Sequence, residues 1–159
     1  MIASMTEVEN FLNKNICRYL IDFFDNYDKS KLHIHNKRYR IYLKHHLDDP
    51  TIKNVFSLYS KLRPFEYVQN MELIKWPVGE YHLYHIDNGY EKEIYNYDTT
   101  SVTNLNDNFK GGHTWVQNYE VVPQAGKLVI FNSWREHKAD ELLQNERYVI
   151  LTWYRKRKG

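Results

Sequence analysis

At Glu66 the chain changes its period. Before that point apolar residues recur at helical spacing, and after it they alternate with polar ones. The segments 67–75, 81–86, 99–105, 113–116, 120–122, 127–131, 136–140 and 146–154 read as strands. Eight short strands in such a row predict a jelly-roll barrel, also called a double-stranded β-helix. The expected class is therefore α+β, mainly β, in one domain over 1–159: a support of helices and a hairpin in 1–65, and the jelly-roll core in 66–155.

Within the support, 8–12 is expected as a short strand and Asn13 as the cap of a helix over 14–27. Its apolar side carries Ile16, Leu20, Phe23, Phe24 and Tyr27, with Cys17 nearby as a small buried hydrophobe. Residues 32–43 read as a hairpin turning at Asn36-Lys37. His33, His35, His45 and His46 cluster around it, but their neighbours are Lys and Arg, so a solvated basic face, or the flank of a channel, is expected over a metal site. Asp49-Pro50 opens a second helix with Ile52, Val55, Phe56, Tyr59 and Leu62 on its buried stripe. Composition narrows the classes of function. A net charge of +2 gives no strong pull towards nucleic acid or membrane, and aromatic residues at 16% do not suit a disordered chain. A single Cys suits a reducing, intracellular setting, and neither a membrane-spanning run nor a signal segment is found. Oligomeric state is left open.

The chemistry concentrates in His85-Ile86-Asp87 and a later histidine, His137. Residues i and i+2 of an extended chain face the same way, so His85 and Asp87 can reach one ion while Ile86 turns aside. A third ligand from a strand folding back over the first completes a 2-His-1-carboxylate triad, the open-sided set that suits non-haem Fe(II). His137 follows the apolar strand Lys127-Leu-Val-Ile-Phe-Asn132 and stands in the right place. On the last strand Arg147, Val149, Leu151 and Trp153 share a face. An arginine among apolar residues on an inward face needs an anion. That anion is either an internal carboxylate or, given the neighbouring metal triad, a dicarboxylate co-substrate bound by the guanidinium fork.

The combination of His85-Ile-Asp87-Asn88, Leu105-Asn106-Asp107-Asn-Phe-Lys-Gly111-Gly112, Ala125-Gly-Lys-Leu-Val-Ile-Phe131, His137 and Arg147-Tyr148 through Trp153-Tyr154 resembles the Fe(II)- and 2-oxoglutarate-dependent dioxygenases, in their prolyl 4-hydroxylase-like branch. The Arg-Tyr-x-x-x-x-Trp-Tyr ending is similar to the oxygen-sensing type, and small versions of this kind occur in bacteria and viruses. The resemblance implies Fe(II) on His85, Asp87 and His137, and 2-oxoglutarate with its distal carboxylate on Arg147. It further implies O2 as co-substrate, ascorbate as reductant, and hydroxylation with release of succinate and CO2. It extends the cofactor pocket to Trp76, Tyr84, Asn104 and Trp153. Trp76 and Asn104 stand where many relatives have tyrosines, so the co-substrate pocket is expected to be rebuilt, with Thr103 or Tyr84 helping. Gly111-Gly112 is expected to allow a tight turn before His113, which is read as structural. Trp134 and Arg135 are expected on a rim.

Three readings follow. The favoured one is a hydroxylase of prolyl residues in a polypeptide, with the 88–97 loop, and Tyr90, Tyr95 and Tyr97 in particular, against the peptide. The second is a dioxygenase acting on a free amino acid, a small metabolite or a nucleic-acid base, for which the basic end Arg155-Lys-Arg-Lys158 is the sole nucleic-acid sign. The third is a non-catalytic jelly-roll binding module, against which the complete triad and Arg147 argue.

Overall fold

Among the described residues, these patterns build thirteen strands and two α-helices. The structure, a computed structural model, describes residues 5–88 and 97–158. The larger sheet runs β1 (Met5–Val8), β10 (Leu128–Asn132), β6 (Thr99–Asn104), β13 (Arg147–Lys156), β4 (Glu66–Trp76), β3 (Arg38–Tyr42), β2 (His33–His35). The smaller runs β5 (His82–His85), β11 (His137–Ala139), β8 (Thr114–Val116), β9 (Tyr119–Val121), and a separate ladder joins β12 (Leu142–Gln144) to β7 (Lys110–Gly111). All pairings are antiparallel. The fold is a double-stranded β-helix, as the alternation from Glu66 onward predicts.

Helices α1 (Lys14–Asp25) and α2 (Pro50–Leu62) brace the outer face of the larger sheet. Asn13 caps α1 by accepting from Ile16 N–H, and Asp49 caps α2 by accepting from Thr51 and Ile52 N–H. The core between helices and sheet includes Leu20, Phe24, Ile52, Val55, Tyr59, Leu73, Ile150 and Tyr154. Central strand β13 divides its side chains by period two. Tyr148, Ile150 and Tyr154 face the helices, while Arg147, Val149, Leu151 and Trp153 line a cavity between the sheets. Its neighbour β4 does the same with Asn70, Glu72, Ile74 and Trp76, until the pairing slips between Trp153↔Asn70 and Tyr154↔Val68. The extra residue there, Gln69, reverses the phase and returns Val68 to the helix side.

Several expected boundaries move. The first strand is Met5–Val8, and residues 9–12 turn instead, because the apolar Leu12 anchors a bend: its N–H donates to Gly126 O (3.1 Å) and it is 1% exposed. Helix α1 ends at Asp25, where Asn26 N–H and its side-chain amide cap Asp22 O. The hairpin turns at Asn36-Lys37 as expected, both residues at positive φ. Strands β7 and β12, two and three residues long, were too short to leave a pattern.

Candidate metal centre and cavity

The register of two strands makes the centre. In the β5–β11 ladder His85 stands opposite His137. Asp87, just past β5, donates its backbone N–H to Ser133 O (3.0 Å). One ligand atom from each of His85, Asp87 and His137 can be chosen so that all lie within 4.8 Å of one another. His85 Nε2 is 3.4 Å from Asp87 Oδ1, and His137 Nε2 is 3.2 Å from Asp87 Oδ2.

The tautomers are set from behind. His85 Nδ1 donates to Leu83 O (2.8 Å) and His137 Nδ1 to Arg135 O (2.9 Å). A carbonyl can only accept, so each ring keeps its proton on Nδ1 and can turn an Nε2 lone pair inward. Asp87 is held too: its Oδ2 accepts from Thr100 Oγ1 (2.9 Å) and from Trp153 Nε1 (3.0 Å). Burial opposes its ionisation, but hydrogen bonds and charge from His137 and His85 outweigh that and hold the carboxyl well below its usual range. His82 stacks on His85 with ring centroids 3.7 Å apart, and burial first, then the charge of His85, push its pKa down to about 3. Two histidine nitrogens and one carboxylate, each fixed by a hydrogen bond, form a donor set that fits Fe(II).

The cavity has a volume of about 660 Å³. In its wall Arg147 is 2% exposed, with Nε donating to Asn104 Oδ1 (3.0 Å) and Nη2 to Thr114 Oγ1 (2.8 Å). Both partners are neutral. Burial pushes the guanidinium down to about 9, and Asp140 opposes this from beyond ion-pair distance. Among the described residues no carboxylate pairs with it, so the internal-salt-bridge alternative finds no partner. Trp76 lies directly across the ladder from Arg147, whose Cζ is 5.2 Å from the centroid of the indole. Trp76 Nε1 is buried without a hydrogen-bond partner among the described residues.

The other expected site residues are placed as follows. Trp153 lines the cavity and stacks on Tyr97 (5.4 Å) in addition to bonding Asp87. Tyr84 does not line it: its side chain is 46% exposed and its hydroxyl donates to Gln117 O (2.6 Å), because alternation along β5 turns it away from His85's side. Thr103 also points away, bonding Tyr59 Oη on the helix side. Trp134 and Arg135 are peripheral, with Arg135 Nη1 donating to Gln117 Oε1 (2.9 Å). Gly111 and Gly112 both take positive φ, and His113 holds Glu120 through Nδ1 (2.6 Å). His33 and His35 line the mouth of the cavity, whereas His46 packs beside Phe23 and Tyr27. Tyr90 and Tyr95 lie outside the described residues, as does most of the 88–97 loop. Sequence reasoning missed Arg38, Arg40, His82, Thr100 and Thr114. For the two arginines a signal existed: the alternation that set Ile41 and Leu43 on one face put Arg38, Arg40 and Tyr42 on the other.

Comparison with known proteins gives the family. The sequence profile of the 2OG-Fe(II) oxygenase superfamily matches residues 71–155, more than half of the chain, which contains the triad and Arg147. The chain belongs to that superfamily. No curated protein sequence matches it. Among solved structures it is similar to the viral collagen prolyl hydroxylase of Paramecium Bursaria Chlorella virus-1 in complex with 2OG, with TM-score 0.73 and 13% identity over 98% of this chain and 97% of that one. It is also similar to a Pseudomonas putida prolyl-4-hydroxylase, with TM-score 0.70 and 17% identity over 98% and 94% of the two chains. A third is a Trichoplax adhaerens prolyl hydroxylase in complex with a hypoxia inducible factor peptide fragment, with TM-score 0.73 and 16% identity over 96% and 84%.

Proposed function

We propose that this protein hydroxylates prolyl residues of a polypeptide, using Fe(II), 2-oxoglutarate and O2, with ascorbate as reductant. The observation that carries the reading is Arg147: a buried guanidinium that, among the described residues, bonds only neutral oxygens, in the same cavity as a complete 2-His-1-carboxylate set. His85, Asp87 and His137 would hold the metal through two Nε2 lone pairs and a carboxylate. The bound iron would supply dioxygen activation coupled to decarboxylation of the 2-oxo acid.

The remaining residues bind and orient. Asn104 and Thr114 fix the Arg147 fork, so its remaining N–H groups are pre-aimed at a distal carboxylate. Trp76 Nε1 is a second donor for the same co-substrate. Ile74, Val149 and Leu151 form an apolar wall that excludes water. Trp153 and Thr100 restrain Asp87. Tyr84, turned outward, is assigned no part in co-substrate binding. The polypeptide substrate is supported by the prolyl hydroxylase neighbours, one of them solved with a peptide.

The test is incubation with Fe(II), 2-oxoglutarate and ascorbate, with proline-containing peptides set against free proline and single-stranded DNA. A gain of one oxygen on peptides alone is expected. Oxidation of free proline or of DNA with inert peptides would overturn the substrate class.

A further inference from the structure

Besides Arg147, two more buried arginines line the cavity, Arg38 and Arg40. Arg38 on β3 is 5% exposed and lines the cavity. The ladder registers Tyr39↔Lys75 and Arg147↔Trp76 place Arg38, Trp76 and Arg147 in one row across three strands, with the indole in the middle. Arg38 Cζ is 4.7 Å from the Trp76 centroid and Arg147 Cζ 5.2 Å. The two guanidiniums thus reach one indole from the strands on either side of it, near enough for the charge of Arg38 to act on Arg147.

Arg38 is poorly answered by the protein. Of its five N–H donors, Nη1 has a long contact to His82 Nδ1 (3.4 Å), and Nε is buried without a partner among the described residues. Glu80 and Glu72 act on it only from beyond ion-pair distance. Glu72 is committed elsewhere, to Arg40 and to Asn70. Arg40, two residues later on the same face, has a carboxylate partner in Glu72, whereas among the described residues Arg38 has none within ion-pair distance; Nε is unpartnered in both. A buried cation without a counterion is costly, and an indole face compensates only in part. Beside it the cavity wall continues through His33 and His35 on the β2–β3 hairpin, the side away from Arg147.

We propose that Arg38 binds a carboxylate of the primary substrate, so that the enzyme prefers a substrate carrying a negative charge close to the oxidised position. This rests on the proposed function, in which Arg147 is taken by 2-oxoglutarate. The charge comes either from an acidic side chain in a peptide or from a terminal or free α-carboxylate. Both offer the guanidinium the same two-oxygen acceptor.

Calorimetry on the protein saturated with Mn(II) and 2-oxoglutarate tests it without turnover. Two matched pairs serve as probes: N-acetyl-L-proline against its amide, and the end-blocked pentapeptide Gly-Ala-Pro-Glu-Gly against its Gln counterpart. Wild type is expected to bind the carboxylate member of at least one pair about tenfold or more tighter. Arg38→Gln should bind the members of each pair equally, and Arg38→Lys should keep a reduced preference. Discrimination in the first pair alone assigns the charge to a terminal carboxylate, and in the second alone to an acidic side chain. No discrimination in wild type overturns the proposal, as does discrimination that survives Arg38→Gln. A fall in 2-oxoglutarate affinity in Arg38→Gln matching that of the probes would put Arg38 in the co-substrate clamp and overturn it too. Should the protein bind neither Mn(II) nor 2-oxoglutarate, the proposed function fails by itself, and the pairs titrated into free wild type and Arg38→Gln still decide the role of Arg38.

Discussion

One indole N–H holds Asp87, the carboxylate proposed as a metal ligand. Trp153 Nε1 and Thr100 Oγ1 converge on the same oxygen of Asp87, and removing either frees the carboxylate to rotate. Loss of such an outer partner typically weakens metal binding by about 10–100-fold. Trp153→Phe, which keeps the ring on Tyr97, should therefore bind Mn(II) at least about tenfold more weakly by calorimetry while its circular dichroism is unchanged. An undiminished affinity would show that Thr100 suffices. At Arg147 the expected loss is larger. Removing one partner of a buried charge pair costs about 3–5 kcal/mol, so Arg147→Ala should raise the 2-oxoglutarate concentration needed for succinate release by orders of magnitude. Lysine should rescue it in part, offering a point charge for a fork. At this scale the sequence was legible where chemistry is carried by residue type and local spacing. A His-x-Asp pair alone is weak, but His85 and Asp87 beside a predicted strand, with His137 after a second strand and Arg147 on an apolar face, made a combination to look for. The structure brings the three ligand candidates together and lines the same cavity with Arg147. Thr100 and Thr114 could not be picked out, since their partners lie across ladders whose register the sequence does not print, and for Arg38 the alternation of its strand gave a face but not its neighbours.

At the scale of elements, the strand alternation and the two capped helices were readable because each depends on a short local rule. Asp49-Pro50 is such a case: the carboxylate accepts from Thr51 and Ile52 N–H as an N-cap should. Asp49→Ala is expected to cost about 1 kcal/mol, seen as a lower urea midpoint. The misplaced first strand shows the converse. Leu12 reads as a strand residue by hydrophobicity, but a tertiary contact fixes it in a bend against the approach to β10. That contact leaves no space at Gly126, where φ is +85° and an added Cβ would stand 2.0 Å from Leu12 O. Gly126→Ala combines left-handed strain with a backbone clash, and about 2–4 kcal/mol of destabilisation is expected. Urea unfolding checks this, and a shift within error of zero would mean that the bend yields freely.

At the scale of the molecule, the helices seal one face of the larger sheet so well that Cys17 is 2% exposed. Burial is the main cause pushing its thiol up to about 11, with a backbone hydrogen bond opposing. The sign follows from that. The folded pKa exceeds the unfolded one, so this group's contribution to stability is complete below the unfolded value near 9 and is lost as pH rises towards 11. At pH 8 native Cys17 should resist iodoacetamide and react only as the molecule opens, at a rate that rises with urea in step with unfolding followed by fluorescence. Fast labelling in native buffer would mean that the helices lift off independently.

Strand β13 has a further effect. It carries Arg147 near one end and Trp153, which steadies Asp87, six positions later, about 20 Å along the backbone at the usual strand rise. The pairing with β4 is unbroken from Arg147 to Trp153, and the slip falls immediately beyond. The strand is therefore a ruler whose graduations are peptide units. The separation of Arg147 from Trp153 is set by backbone, and substituting the side chains between them leaves it unchanged. A keto-diacid one methylene longer or shorter than 2-oxoglutarate should fit badly in every side-chain variant of the wall. Only an inserted or deleted residue within β13 would recalibrate the length, and it would at the same stroke turn the cavity-lining side chains towards the helices. In a protein built this way, the spacing of those two residues cannot change by one without exchanging the faces of the strand between them.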